Sequence, residues 1–354
     1  MKRSFLSASL FLSALLVASR TAPQALAVEP FVPGTGDFLS DCCDNFENPN
    51  WGYRYNHPKS SHEQDKKQRS PGGQSSNGLW HEGGKRGTPD VVKRVETPPD
   101  GIEGSTGSLL FATRNSGVPG KVANSQQQDD LLMLFNRRLG RSIPIAWQPS
   151  CTVRVYLPPF EEWENRSGPQ FGMRADCYGR NPDGTSEEYW PGMFLLFRSE
   201  TSRGVEADAA KLSIRAGRRG NDIRSLDITE PGWWTLGMSF TSNGQVHYYA
   251  SPGVDDLTAD DYITSQFPYG MTCQKMNNFF FNVANWENGR SWSTQWVIDD
   301  PKVFVIPPQG QSVANLYVKK RQQATRPQPT RGRTARPATR NTRSASTSRG
   351  QSQR

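Results

Sequence analysis

Histidine is scarce in this chain, with four residues in 354. There is no Cys/His spacing for zinc, no glycine-rich phosphate loop and no serine nucleophile elbow. Those absences remove zinc, phosphate-loop and α/β-hydrolase chemistry from first consideration. Helical periodicity is almost as rare. Only Gln126 to Leu139 suits a modest helix, and its LLMLF centre suits a buried strand equally well. No stretch approaches the roughly 18 uninterrupted apolar residues that a membrane-spanning helix requires.

Acidic residues are missing from both ends. Lys2 and Arg3 precede the mostly apolar run Phe5 to Val17, and Ala25-Leu26-Ala27 supplies a small-x-small cleavage site. Residues 1–27 read as a secretory signal peptide, which implies a secreted or periplasmic protein without a membrane span. Lys319 to Arg354 holds eleven Lys or Arg and no Asp or Glu. Taking these and the three basic residues of the first 27 from the net +8 leaves −6 for residues 28–318. The body is therefore mildly acidic. After Pro307-Pro308 the chain is rich in Arg, Ser, Thr and Pro, and residues 308–354 read as a disordered tail. Such a tail is either a polycation for anionic polymers or a plain soluble extension.

What the body does have is strands. Short runs rich in Val, Ile, Phe, Tyr and Trp alternate with Gly, Pro, Asn and Asp clusters. The runs are Val91–Glu96, Ser108–Thr113, Thr152–Leu157, Phe171–Tyr178 and Met193–Arg198, then Lys211–Ala216, Trp233–Thr241, Val246–Ala250, Phe279–Ala284 and Trp296–Ile306. This pattern predicts an all-β sandwich or barrel, and the size of residues 28–307 suits a jelly roll with long loops. Residues 52–90 form a polar, Gly-rich insertion holding His57, His62 and His81, which reads either as a binding loop or as disorder.

Asp44-Asn45-Phe46-Glu47 with Trp51 opens the body, and Trp296-Val297-Ile298-Asp299-Asp300 begins its last strand. The pair resembles the ends of the concanavalin A-like lectin/glucanase jelly rolls of exported bacterial proteins. That resemblance implies adjacent first and last strands, and two curved antiparallel sheets with a concave face for saccharides. It also admits a structural calcium at Asp299 or Asp300; otherwise no cofactor is expected. The Asp255-Asp256 and Asp260-Asp261 cluster reads as a capped loop or as a calcium site. Retaining glucanases of this superfamily carry three acids on one strand. Here Glu206-Ala207-Asp208 is followed by Ala209, Ala210 and Lys211, and the third acid is missing.

Strand faces narrow the search. Cys151, Val153, Val155 and Leu157 share one face, as do Phe171, Met173, Ala175 and Cys177. Direct pairing of these strands would join Cys151 to Cys177 in a disulfide and place Arg154 across from Arg174, beside Asp176 and Tyr178. Two guanidinium groups so placed would grip a carboxylate or sulfate, or be offset by Asp176. In Trp233 to Ala250, a three-residue Ser-Asn-Gly loop with left-handed Gly244 keeps the apolar residues together, pairing Phe240 with Val246 and Met238 with Tyr248. It places Trp233, His247 and Tyr249 on the other face, with Gly237 opposite Tyr249. That face is either open for a sugar ring or covered by loops.

The first reading is an exported protein binding a polysaccharide, anionic in kind, through Arg154, Arg174, Asp176 and Trp233. The second is a polysaccharide lyase or glycoside hydrolase with His247 and Tyr178 or Tyr249 moving protons. The third is an envelope protein adhering through its basic tail.

Overall fold

The computed structural model describes residues 28–318 except Gln68 and Pro119. The expected signal peptide and the basic segment from Lys319 lie outside the described residues. In chain order the strands begin with β1 (Asp37–Phe38), β2 (Tyr53–Arg54), β3 (Gln74–Ser75), β4 (Trp80–Glu82), β5 (Val91–Val95) and β6 (Ser108–Ala112). Next come β7 (Ser125–Met133), β8 (Ile143–Pro144), β9 (Ser150–Leu157), β10 (Gly168–Arg180), β11 (Ser186–Tyr189) and β12 (Gly192–Arg198). The last are β13 (Ala209–Arg215), β14 (Asp222–Ile228), β15 (Gly232–Phe240), β16 (Val246–Pro252), β17 (Tyr262–Gln266), β18 (Thr272–Glu287) and β19 (Trp296–Val305). Two short helices, α1 (His62–Asp65) and α2 (Phe135–Leu139), interrupt them.

The strands form an all-β jelly-roll sandwich of two antiparallel sheets. The smaller sheet runs β17-β16-β15-β9-β19-β6-β5, with β1 on β19. The larger runs β14-β13-β12-β10-β18-β7-β4-β3-β2, with β11 on β10 and β8 on β18. First and last strands are adjacent, with Phe38 opposite Phe304. Alternation explains the layering, because inward positions of both sheets are apolar and every second residue points away. Phe111 and Trp296 reach in from the smaller sheet to meet Phe171 and Phe281 of the larger. Phe171 lies 5.1 Å from Trp296, 5.7 Å from Phe281 and 6.0 Å from Phe111 between ring centroids. Offset and tilted rings at these separations give the core its aromatic centre.

The segment Gln126–Leu139 is both things the sequence allowed: β7 occupies its first part, and α2 makes one turn that Gly140 ends at φ +73°. Residues 52–90 are folded onto the domain, where β4, β3 and β2 extend the larger sheet beyond β7. Lys59 pins the segment. Its Nζ donates to Asp90 Oδ1 and Asp129 Oδ2, each at 2.7 Å, and to the Asn115 carbonyl at 2.9 Å. The three histidines here do not cluster: His57 stacks on Tyr55, His62 opens α1, and His81 Nε2 lies 3.1 Å from the Gly78 carbonyl.

The tail begins later than its composition implies. Residues 308–318 pack against the body, with Leu316 fully buried and the Val318 N–H donating to the Leu139 carbonyl at 2.9 Å. A single well-placed leucine outweighs the polar run around it. Among the described residues, no helix is long and apolar enough to cross a membrane.

Candidate functional site

The two arginines expected to oppose each other leave the sandwich on opposite sides. β9 pairs with β15 and β19, whereas β10 pairs with β11, β12 and β18. The strands on either side of the 158–167 connection therefore belong to different sheets. Arg154 is on the outer face of the smaller sheet and Arg174 on that of the larger. The expected cross-strand pairing of Cys151 with Cys177 is absent for the same reason, and both thiols are free, pointing into the core from facing sheets.

The smaller sheet's outer face carries Arg154, Trp233, His247 and Tyr249, and it is covered. The β15–β16 hairpin has the bulged register, with Phe240 opposite Val246, Met238 opposite Tyr248 and Gly244 at φ +83°. His247 is fully buried, bonded to Thr241 Oγ1 at 2.8 Å and Ser265 Oγ at 2.5 Å, and burial pushes its pKa down to about 4. Trp233 is buried and donates through Nε1 to the Pro99 carbonyl at 3.0 Å. The space above Gly237, which would have admitted a sugar beside Tyr249, is filled. A Cβ there would meet Leu257 Cδ1 at 2.5 Å and Pro33 Cβ at 2.8 Å. Arg154 is consumed by the same cover, donating to Asp256 Oδ1 at 2.5 Å and to the Val254 carbonyl at 3.0 Å.

The outer face of the larger sheet holds a cleft of about 280 Å3. Its floor comes from three adjacent strands. Asp176 on β10 stands opposite Asn278 on β18, and Phe280 of β18 is flanked by Arg174 of β10 and Leu132 of β7. Asn282 of β18 faces Asp130 of β7 one row further on. Gly83, Gly84 and Lys85 form one wall; Glu188 and Trp190 form another. Lys85 Nζ sits 3.8 Å from the centre of the Trp190 ring and 3.2 Å from Glu188 Oε2.

Unpaired oxygens mark this floor. Asn278 Nδ2 donates to Asp176 Oδ2 at 2.8 Å, and Asn282 Nδ2 donates to Asp130 Oδ1 at 2.5 Å. Asp176 Oδ1, Asn278 Oδ1 and Asn282 Oδ1 are buried without a partner. Desolvated acceptors of this kind cost roughly 1–3 kcal/mol each until a donor reaches them. Burial, with Glu188 nearby, raises the Asp176 carboxyl to about 6. Burial also raises Asp130, despite Arg86 at 3.7 Å.

Arg174 lies under the Trp190 corner, buried among the rings of Trp190, Phe194 and Phe280 at 5.5–5.9 Å. Its Nη2 donates to the Trp190 carbonyl at 2.9 Å, and the Tyr269 hydroxyl is 3.5 Å away. Neither partner is a carboxylate, and desolvation lowers its pKa from the usual range. Tyr178 is one row beyond Asp176, with Lys275 Nζ 4.6 Å from its ring centre.

Of the sequence-derived set, Arg174, Asp176 and Tyr178 stay on one face, while Arg154, Trp233, His247 and Tyr249 are on the other. Sequence reasoning missed Asn278, Phe280 and Asn282, although the alternation of Phe279, Phe281 and Val283 against them was there to read. Lys85 and Trp190 come from loops that carry no such signal.

The acids near the chain ends, where the resemblance admits a calcium, have partners within the chain, Asp300 Oδ2 pairing with Lys302 Nζ at 2.5 Å. Asp299 Oδ2 accepts from Ser105 Oγ at 2.7 Å, and that hydroxyl lies 3.1 Å from Glu47 Oε1. Both Glu47 oxygens already accept from the Thr106 N–H, at 2.9 and 3.2 Å, where a cation site needs oxygen ligands. Asp256 is committed to Arg154, and Asp261 caps the turn at Thr258. Among the described residues no group of three or more acidic, His or Cys side chains is placed to hold a metal.

No protein-family model and no curated protein matches the chain. Among solved structures, it is similar to a carbohydrate esterase from the Shiga toxin-encoding bacteriophage phi24B. That match covers 65% of this chain and 91% of the esterase, at 11% identity and TM-score 0.38. An alginate lyase from Pseudomonas aeruginosa matches over 61% of this chain and 86% of its own, at 11% identity and TM-score 0.34. Lectin II from Ulex europaeus matches over 62% of this chain and 100% of its own, at 7% identity and TM-score 0.32.

Proposed function

We propose that the chain binds a polysaccharide in the Asp176 cleft. One observation carries the reading: the unpaired oxygens of Asp176 and Asn278 face each other across one strand pair in the cleft floor, beside Trp190 and Phe280. Acceptors without donors call for a ligand dense in hydroxyl groups, and an aromatic wall supports the apolar face of a sugar ring. The anionic ligand expected from paired arginines loses its basis, since Arg154 and Arg174 do not meet. The floor favours hydroxyl donors over a second carboxylate.

An enzyme in the same cleft is favoured by one feature, the Asp176 carboxyl raised to about 6, in the range where a general acid or base works. Asp130 on the floor is two strands and four residues away, roughly 16 Å between Cα positions by ordinary strand spacing, too far for a two-carboxylate pair. The nearer acid is Glu188 of the wall, whose charge helps to raise Asp176, and Lys85 pairs with it at 3.2 Å. The unpaired acceptors of the floor make binding the reading put forward first. Adhesion through the basic segment is a separate proposal, tested by removing residues 319–354 and leaving Leu316 in place.

Affinity electrophoresis through laminarin, xylan, mannan and alginate tests the main reading. Retardation by at least one polymer, lost in Asp176→Ala and Asn278→Ala and kept in His247→Ala, is the expected result. Retardation unchanged in both cleft variants would overturn it. Release of reducing ends or of unsaturated uronate, abolished in Asp176→Asn, would replace binding by catalysis.

A further inference from the structure

A second cleft, of about 650 Å3, opens where the sequence analysis placed nothing. Trp286 and Trp292 both line it, and each is 43% exposed. The other eight tryptophans of the chain are buried or half-buried. A solvent-facing indole is a liability that soluble proteins keep where it serves contact. Here two such rings flank one opening, and the rest of its lining is polar, including Asn165, Asn288, Ser202 and Ser291. Flat apolar rings among amides and hydroxyls match the two characters of a sugar, an apolar C–H face and a hydroxyl rim.

The backbone at Trp286 and the ring of Trp292 are each held by a neighbour. The Trp286 N–H of the backbone donates to Glu164 Oε1 at 2.7 Å, and Arg166 Nη2 braces that carboxylate at 3.1 Å. The Arg114 guanidinium lies 5.1 Å from the Trp292 ring centre. A ring flanked in this way loses less freedom on binding.

Position ties this cleft to the first. Along β18, Phe279, Phe281 and Val283 point into the core, so Asn278, Phe280, Asn282, Ala284 and Trp286 share the outer face. Asn278 and Phe280 floor the Asp176 cleft, and Trp286 lines the second. Eight residues of strand span roughly 27 Å, the reach of several linked sugar rings. We propose that the Trp286–Trp292 cleft holds the continuation of the polysaccharide bound at Asp176, the glycan passing over the buried Asn282 and Ala284 that separate the two openings. The inference rests on the reading of the Asp176 cleft as a saccharide site.

The experiment compares ligand length. Disaccharides and hexasaccharides of laminarin, xylan, mannan and alginate, with the parent polymers, are titrated against the wild type, Trp286→Ala/Trp292→Ala and Asp176→Ala. Both tryptophans are at the surface, and unchanged thermal unfolding confirms that the double variant folds. The expected result is a disaccharide affinity unchanged in the tryptophan variant, with hexasaccharide and polymer affinity reduced at least tenfold. Asp176→Ala weakens binding at every length. If the tryptophan variant binds hexasaccharide and polymer like the wild type while Asp176→Ala does not, the continuation is overturned and the Asp176 site stands. Loss of all binding in the tryptophan variant with none in Asp176→Ala overturns both the continuation and the Asp176 reading. Binding of none of the four glycans by the wild type also overturns both.

Discussion

Asn278 Nδ2 donates to Asp176 Oδ2 at 2.8 Å directly across the β10–β18 pair, and the remaining side-chain oxygen of each residue is buried without a partner. The cleft is built on this half-satisfied pair. Its carboxyl is raised to about 6, chiefly by burial, so ionising it costs folding energy. The contribution is fully favourable below the unfolded pKa near 4 and is lost as pH rises through about 6. Asp176→Asn should remove that loss. Urea unfolding at pH 4.5 and 7.5 should show the variant gaining on the wild type by on the order of 2 kcal/mol at the higher pH. No change with pH would mean that Asp176 is ionised without penalty.

His247 predicts the opposite slope. Its pKa is pushed down to about 4 by burial, so its contribution is intact above about 6.5 and fades as pH falls toward 4. His247→Ala removes buried hydrogen bonds to Thr241 and Ser265 and leaves a space in the packed face, and should cost about 1–3 kcal/mol at pH 7. Glycan retardation should be unaffected. A variant that folds as stably as the wild type but no longer binds would return the site to the smaller sheet.

Lys59 should matter for a different reason. Burial opposes its charge, but Asp129 and Asp90 more than offset that and raise its pKa. Lys59→Met leaves two carboxylates in a buried place without their cation, which typically costs about 3–5 kcal/mol. Limited proteolysis should then cut within residues 52–90 before the rest of the body. Simultaneous cleavage throughout would show that the segment is not a separable unit.

The thiols offer a test of burial in the core. Burial raises the thiols of Cys42 and Cys151 to about 12, and only a thiolate is readily alkylated. Iodoacetamide at pH 8 should leave both unmodified in native protein and label them on unfolding in reductant-free urea. Labelling of Cys151 in the native protein as fast as in the unfolded protein would contradict its burial in the core.

How far the fold could be read is clearest at those two strands. Alternation reveals which side of a strand is apolar, and it did so correctly for Cys151, Val153 and Val155 and for Phe171, Met173 and Ala175. It does not reveal from which side of the core a strand looks inward. Two strands with matching stripes can pair in one sheet or face each other across the interior, and these face each other. The β15–β16 register was legible because a left-handed Gly244 and an apolar stripe agree on one answer. The cleft was half legible. Asp176 and Arg174 came from a strand already noticed, whereas Lys85 and Trp190 are brought in by loops whose path depends on packing. Leu316 escaped notice because composition averages over a window, while one buried side chain decides where a chain leaves the surface.

The cover over the smaller sheet has one more consequence. Ser239 Oγ donates to the Phe31 carbonyl at 2.6 Å, and Pro33 and Leu257 close over Gly237. A jelly roll has two broad surfaces, and here the chain's own segments lie over β15 on one of them. On the proposed reading, a polymer reaching Asp176 approaches from the side of the larger sheet. Loop length and sequence over the smaller sheet can then vary without touching the Asp176 cleft, which lies on the opposite side of the sandwich.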